Sequence, residues 1–146
     1  MKKEAYRDYA TEAFRIWAAW GCPSYDEAVE RIRASAIRRA GESDPANILA
    51  YADAEVERKS ALLCDILACE KCFELLREDK QYICDAIKDI YMREPWRTAR
   101  RNEIACRVLR FSIDNAVSER QVYRWLKNAR DLFAGLRGLR IDNENV

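Results

Sequence analysis

Histidine is missing from this sequence of 146 residues. Imidazole acid–base catalysis, Ser-His and Cys-His nucleophile pairs and His-ligated metal sites are excluded with it. Glycine and proline are scarce, at 4 and 3 residues. So few leave little loop-forming punctuation and no room for a glycine loop that cradles phosphates. No run approaches the roughly 20 apolar residues that cross a bilayer. The early apolar stretch 13–20 is interrupted by Arg15 and preceded by Glu4, Asp8 and Glu12, unlike a secretory signal. A cytoplasmic protein with reduced thiols and no membrane contact is expected.

What is present points to helices. Apolar residues make up 49% and charged residues 35% of the chain, enough to bury a core in one ordinary domain or two small helical ones. An all-α fold follows. The carboxylates Asp65, Asp85 and Asp89 alternate with Lys and Arg on outward helical faces, which reads as solvated ion pairs rather than a catalytic centre. No enzyme is expected.

The net charge of +1 is a sum of unlike parts. Residues 1–94 carry a net −4, residues 95–140 a net +7 and the tail 141–146 a net −2. An acidic helical body fused to a basic segment is the asymmetry expected when one end meets a polyanion and the other meets a protein or itself.

Six cysteines need placing: Cys22, Cys64, Cys69, Cys72, Cys84 and Cys106. The triplet Cys64, Cys69, Cys72 reproduces the C-x4-C-x2-C spacing of plant-type iron–sulfur ligands. Such ligands wrap a cluster from an irregular loop, whereas this triplet lies in a run of helix formers without Gly or Pro. Cysteine as a small buried hydrophobe is the reading adopted, with no cofactor.

Helix signals recur along the chain. Tyr6, Ala10, Ala13, Trp17 and Trp20 mark one face of a first helix, stopped by Gly21-Cys22-Pro23. Ser24 with Glu27 forms a capping box for a second, carried by Val29, Ile32 and Ile37 to Ala40-Gly41, before a polar break at Glu42-Ser43. Asp44-Pro45 restarts the chain as N-cap and first helical residue. From there to about Arg77 no breaker occurs, so one long central helix is expected, with Leu62, Ile66, Cys69, Phe73 and Leu76 as its stripe and Leu63 and Leu67 widening it. Its polar first half, 51–60, suits either a partner or the first two helices of the same chain. Asp79 is the expected cap of a further helix with Tyr82, Ile83, Ala86, Ile87 and Ile90 inside, ending before Pro95. The expected division is a helical body at 1–78 for dimerisation or protein contact, a helix-turn-helix domain at 79–140 and a flexible tail at 141–146.

The C-terminal pair carries the function. A helix from near Arg100 to about Ile113 holds Ile104, Ala105, Val108, Leu109 and Phe111. The short break 114–117 contains Asn115, a residue that tolerates left-handed backbone. Ser118 then caps a second helix, with Gln121 at the capping-box position. Val122, Trp125, Leu126, Ala129, Leu132, Phe133 and Leu136 give this helix a buried face. Glu119, Arg120, Arg124 and Lys127 lie opposite, with Tyr123 and Asn128 at the margins. Helix, tight turn and second helix with a cationic outer face form a helix-turn-helix, whose second helix enters the major groove.

Arg120 and Arg124, four residues apart, suit guanine edges or phosphates, and Gln121 suits adenine or the cap. Ser118 and the first amides offer donors to a phosphate. Arg97, Arg100, Arg101, Arg107 and Arg110 are the expected backbone contacts. The alternative is a solvated basic face on an ordinary helical hairpin.

The string Glu103-Ile104-Ala105, followed by Val117-Ser118-Glu119-Arg120-Gln121-Val122-Tyr123-Arg124-Trp125-Leu126-Lys127-Asn128-Ala129, resembles the E-I-A … V-S-x-x-T-V-Y-R-x-L-K-x-A signature of sigma-70 region-4-like helix-turn-helix domains. The resemblance covers roughly residues 79–137. In size and layout the chain is similar to small phage transcriptional regulators of the RinA and ArpU type. That implies binding to a promoter-proximal DNA site, control of late phage genes and contact with RNA polymerase. One departure stands out: the family has about five residues between the Ala and the Ser of this signature, and here Cys106 to Val117 intervene. The added residues, about two helical turns, imply a longer first helix. A homodimer is expected because one helix reads only a few base pairs. The competing reading, from another class, is a helical adaptor that binds RNA polymerase or another phage protein without reading bases.

Overall fold

The computed structural model describes residues 7–41 and 44–139. Tyr6 of the first stripe, the Glu42-Ser43 break and the tail at 141–146 lie outside the described residues. Seven helices and no strand occur among the described residues, so the fold is all-α. They are α1 (Arg7–Ala19), α2 (Tyr25–Ala40), α3 (Pro45–Arg58), α4 (Ser60–Asp79), α5 (Gln81–Ile90), α6 (Arg101–Asn115) and α7 (Glu119–Arg137).

Local chemistry sets the first boundaries. Beyond α1 the chain turns through Gly21 and Cys22, both at positive φ, and the Trp17 indole donates to Pro23 O at 2.8 Å. Ser24 caps α2: its Oγ accepts from Glu27 N–H at 3.1 Å, and Ser24 N–H donates to the Glu27 carboxylate at 3.2 Å. The inner positions of α2 are Ala28, Ile32 and Ala36; Ile37, expected inside, is 44% exposed. α2 packs against α3, and Ile37 lies about 100° round the helix from the buried Ala36, off the inner face.

The expected central helix is two helices. Lys59 separates α3 from α4 with φ −97° and ψ 21°. Its N–H is shared between the carbonyls of Glu55 and Val56, each at 3.2 Å. The two segments serve different sets of neighbours: α3 lies on α2, while α4 reaches α1, α5 and α7 as well as α2. A change of direction at Lys59 satisfies both. The polar first half thus packs on α2 within the same chain. Glu55, 3% exposed, is held there by Arg39 at 3.4 Å and Arg58 at 2.5 Å. Asp44 makes no side-chain cap to α3, although Pro45 occupies the first turn as expected.

α4 is buried on more than one face, with Leu63, Ile66, Ala68, Cys69, Cys72, Phe73 and Leu76 all inside. Leu62 is half-buried and Leu67 exposed. Asp79 is the last residue of α4 rather than the cap of α5, and the chain bends at Lys80. Asp79 supplies no cap because the Lys80 N–H donates to Leu76 O and carries α4 past it. Phe14, Phe73 and Phe133 meet at the centre, with ring centroids 6.1 Å apart for Phe14–Phe73 and 5.5 Å for Phe14–Phe133. Tilted aromatic pairs of this kind add about 0.5–1.5 kcal/mol each beyond their buried area. One continuous core joins α1, α2, α4, α5, α6 and α7.

Candidate nucleic-acid interface

α5, α6 and α7 pack pairwise on one another. The link between α5 and α6 is fixed to α1 by two contacts: an Arg15 guanidinium nitrogen donates to Pro95 O at 2.5 Å, and Thr98 Oγ1 donates to Glu12 at 3.1 Å. α6 continues to Asn115, so most of the twelve residues between Ala105 and Ser118 are helical. Ala116, at φ +54° and ψ +43°, and not Asn115, adopts the left-handed conformation that stops α6. Asn115 instead turns its amide back to Phe111 O at 2.9 Å. Val117 N–H donates to Ser112 O at 3.1 Å, and the Ser112 hydroxyl donates to Val117 O. The left-handed position therefore falls one residue later than the side-chain preference of asparagine suggests.

Ser118 Oγ accepts from Gln121 N–H at 3.1 Å and caps α7. Gln121 does not return the capping-box bond; its Oε1 accepts from Arg124 at 3.4 Å. The inner face of α7 is Val122, Leu126, Ala129 and Phe133, all fully buried, with Trp125 and Leu132 half-buried. Leu136, expected inside, is 41% exposed because the last turn passes the edge of the core. Trp125 stacks obliquely on Tyr82 of α5 at 4.7 Å and meets Phe111 of α6 edge-on at 6.5 Å. Tyr82, on the apolar face of α5, is 43% exposed despite that contact.

The outer face presents Ser118, Glu119, Arg120, Tyr123, Arg124, Lys127 and Asn128, all exposed, and Gln121 is half-exposed. Arg120 makes no hydrogen bond or ion pair among the described residues. Among the described residues, the one hydrogen bond of Arg124 goes to the neutral Gln121. Lys127 is paired with Asp131 at 2.8 Å. Two guanidinium groups one turn apart, with no carboxylate among the described residues answering either, stand above a helix N-terminus whose dipole also favours anions. Arginine forks so placed can engage phosphates or base edges bidentately.

The flanking arginines divide. Arg100, Arg101 and Arg110 are exposed and have no carboxylate partner among the described residues. Arg97 is clamped between Glu94 and Glu103, each at 2.5 Å. Arg107 donates to Ile90 O at 2.9 Å and lies 3.6 Å from Glu94 and 3.8 Å from Glu103. The Arg97 hydrogen bond holds the Glu103 carboxyl down to about 2. Arg100 N–H also donates to Glu103 at 3.3 Å, at the start of α6. Arg97 and Arg107 thus act as struts under α6, their charge already answered.

Two positioning contacts escape sequence reasoning. Arg130 is 6% exposed and donates to the Tyr91 hydroxyl at 2.5 Å. Its position among Ala129, Leu132 and Phe133 was a signal, since a charge on an apolar face implies a buried partner. Arg137 at the end of α7 bonds Asp65 of α4, a pairing across the chain with no local mark in the sequence. Cys64, Cys69 and Cys72 lie within the continuous helix α4, Cys64 exposed and the other two buried. No group of three or more His, Cys, Asp or Glu among the described residues is placed to hold a metal ion. No described helix is long and apolar enough to cross a membrane. Compared with protein-family models, curated proteins and solved structures, the chain has no match.

Proposed function

We propose that this chain is a non-enzymatic DNA-binding transcription regulator of phage or prophage type, which reads a promoter-proximal duplex site with α7 as the recognition helix. The observation that carries this reading is the unanswered guanidinium pair Arg120 and Arg124 on the outer face of a helix whose inner face is fully buried. A recognition helix must be rigid and must offer donors that are free. α6, the three-residue turn and α7 supply the helix-turn-helix, and α5 completes the three-helix unit under it. Arg100 and Arg101 supply phosphate contacts, while Tyr123 and Lys127 border the base-reading pair. Late-gene control and contact with RNA polymerase rest on the sequence resemblance, and a cytoplasmic setting on the reading of the cysteines as reduced thiols.

Selection from a pool of random duplexes tests this. The full chain should enrich a defined motif, and Arg120→Ala with Arg124→Ala should abolish the enrichment while circular dichroism stays unchanged. Capture of RNA polymerase with no duplex enriched would instead favour the adaptor that does not read bases.

A further inference from the structure

α6 has two apolar faces, and the fold covers one. Ile104, Val108 and Phe111 turn inward and join the core. At 100° per residue, Cys106, Leu109 and Ile113 fall on the opposite side. There Leu109 is 48% and Ile113 70% exposed, and Cys106 is exposed as well. Together with Arg110 and Asp114 they line a shallow groove. A surface helix needs a single apolar stripe to hold it to its own domain. Among the described residues nothing covers the second stripe.

The polar residues beside it select the occupant. Arg110 and Asp114 lie on one flank of the stripe, one turn apart, and neither makes an ion pair or hydrogen bond among the described residues. A flank with a cation and an anion so spaced is complementary to its own reversed copy. In an antiparallel pair about a two-fold axis, Arg110 of each chain faces Asp114 of the other, and Leu109 of each faces Ile113 of the other.

We propose that the outer face of α6 is a self-association surface, and that its occupant is a second copy of this chain packed antiparallel, α6 on α6. The contact is local to α6, so this inference goes beyond the DNA-binding reading and stands or falls without it. One helix of 15 residues crossing its equivalent buries no more than the roughly 1,200 Å² of the smallest standard interfaces. An interface of that size belongs with weak, exchanging associations, so the concentrations that test it run from about 10 µM to about 1 mM.

Sedimentation velocity under reducing conditions, on the full chain across that range, tests the proposal. The wild type should shift from monomer to dimer with concentration. Leu109→Asp with Ile113→Asp should leave monomer throughout; both positions are exposed, so circular dichroism should not change. Arg110→Asp or Asp114→Arg alone should weaken dimerisation about tenfold or more by placing like charges together, and the two together should restore it. A wild type that stays monomeric at about 1 mM overturns the proposal. So does a dimer that survives the Leu109 and Ile113 substitutions, or a charge exchange that fails to rescue.

Discussion

Arg137 Nε lies 2.7 Å from Asp65 Oδ1, joining the last turn of α7 to the middle of α4. The same carboxylate accepts from the Tyr9 hydroxyl at 2.8 and 3.0 Å, so three helices meet at one charge. Asp65 and Arg137 are only about one-fifth exposed, which places this pair above the usual worth of a surface ion pair. Asp65→Asn should lower stability by about 1–2 kcal/mol, read as an earlier urea midpoint at unchanged slope. Arg137→Ala should cost a similar amount, and the two together less than their sum, because each removes the same bond.

Acid should loosen the start of α6. Glu103 has its carboxyl held at about 2, against an ordinary 4.5, chiefly by its hydrogen bond from Arg97. A group whose folded value is depressed contributes stability above its unfolded value and loses it as pH falls through the folded one. The contribution of Glu103 should therefore be complete above about 4.5 and disappear toward 2. Stability measured against pH for Glu103→Gln should lack this part of the acid limb. A Glu103 side-chain NMR titration with its midpoint near 4.5 would contradict the clamp.

Thiol chemistry should sort the cysteines into two sets. Cys69, Cys72 and Cys84 are buried, whereas Cys22, Cys64 and Cys106 are exposed. Burial pushes the Cys72 thiol up to about 12 and raises Cys69 as well, keeping both protonated near neutrality. A disulfide-exchange reagent should label the exposed three in the native protein and the buried three only on unfolding, as counted by mass spectrometry.

The parts of the fold legible in the sequence are those set by neighbours along the chain. Ser24 and Glu27 make their capping box, and Ser118 caps α7, because both ends of each bond lie three residues apart. The break at Lys59 carried no such mark. Lysine is a good helix former, and the bend arises because α4 packs on α1, α5 and α7 as well as on the α2 that α3 covers. The same holds for Asp79, where helix bonding continues through a residue whose side chain suits a cap.

Within the candidate interface, period alone separated the inner Val122, Leu126, Ala129 and Phe133 from the outer Arg120 and Arg124. Period could not tell which arginines are free. Arg97 and Arg107 look like Arg100 and Arg101 in sequence, and only folding brings Glu94 and Glu103 against the first two. The second apolar face of α6 was likewise hidden, since Leu109 looked as much a core residue as Val108.

The central claim is that Arg120 and Arg124 meet DNA. Fluorescence anisotropy of a labelled duplex carrying the selected motif, titrated with the full chain at several salt concentrations, tests it most directly. The wild type should bind with affinity falling steeply as salt rises. Arg120→Ala with Arg124→Ala should weaken binding roughly 100-fold or more at fixed salt, as expected for the loss of two arginine contacts. Equal affinity and equal salt dependence for the two proteins would contradict the account.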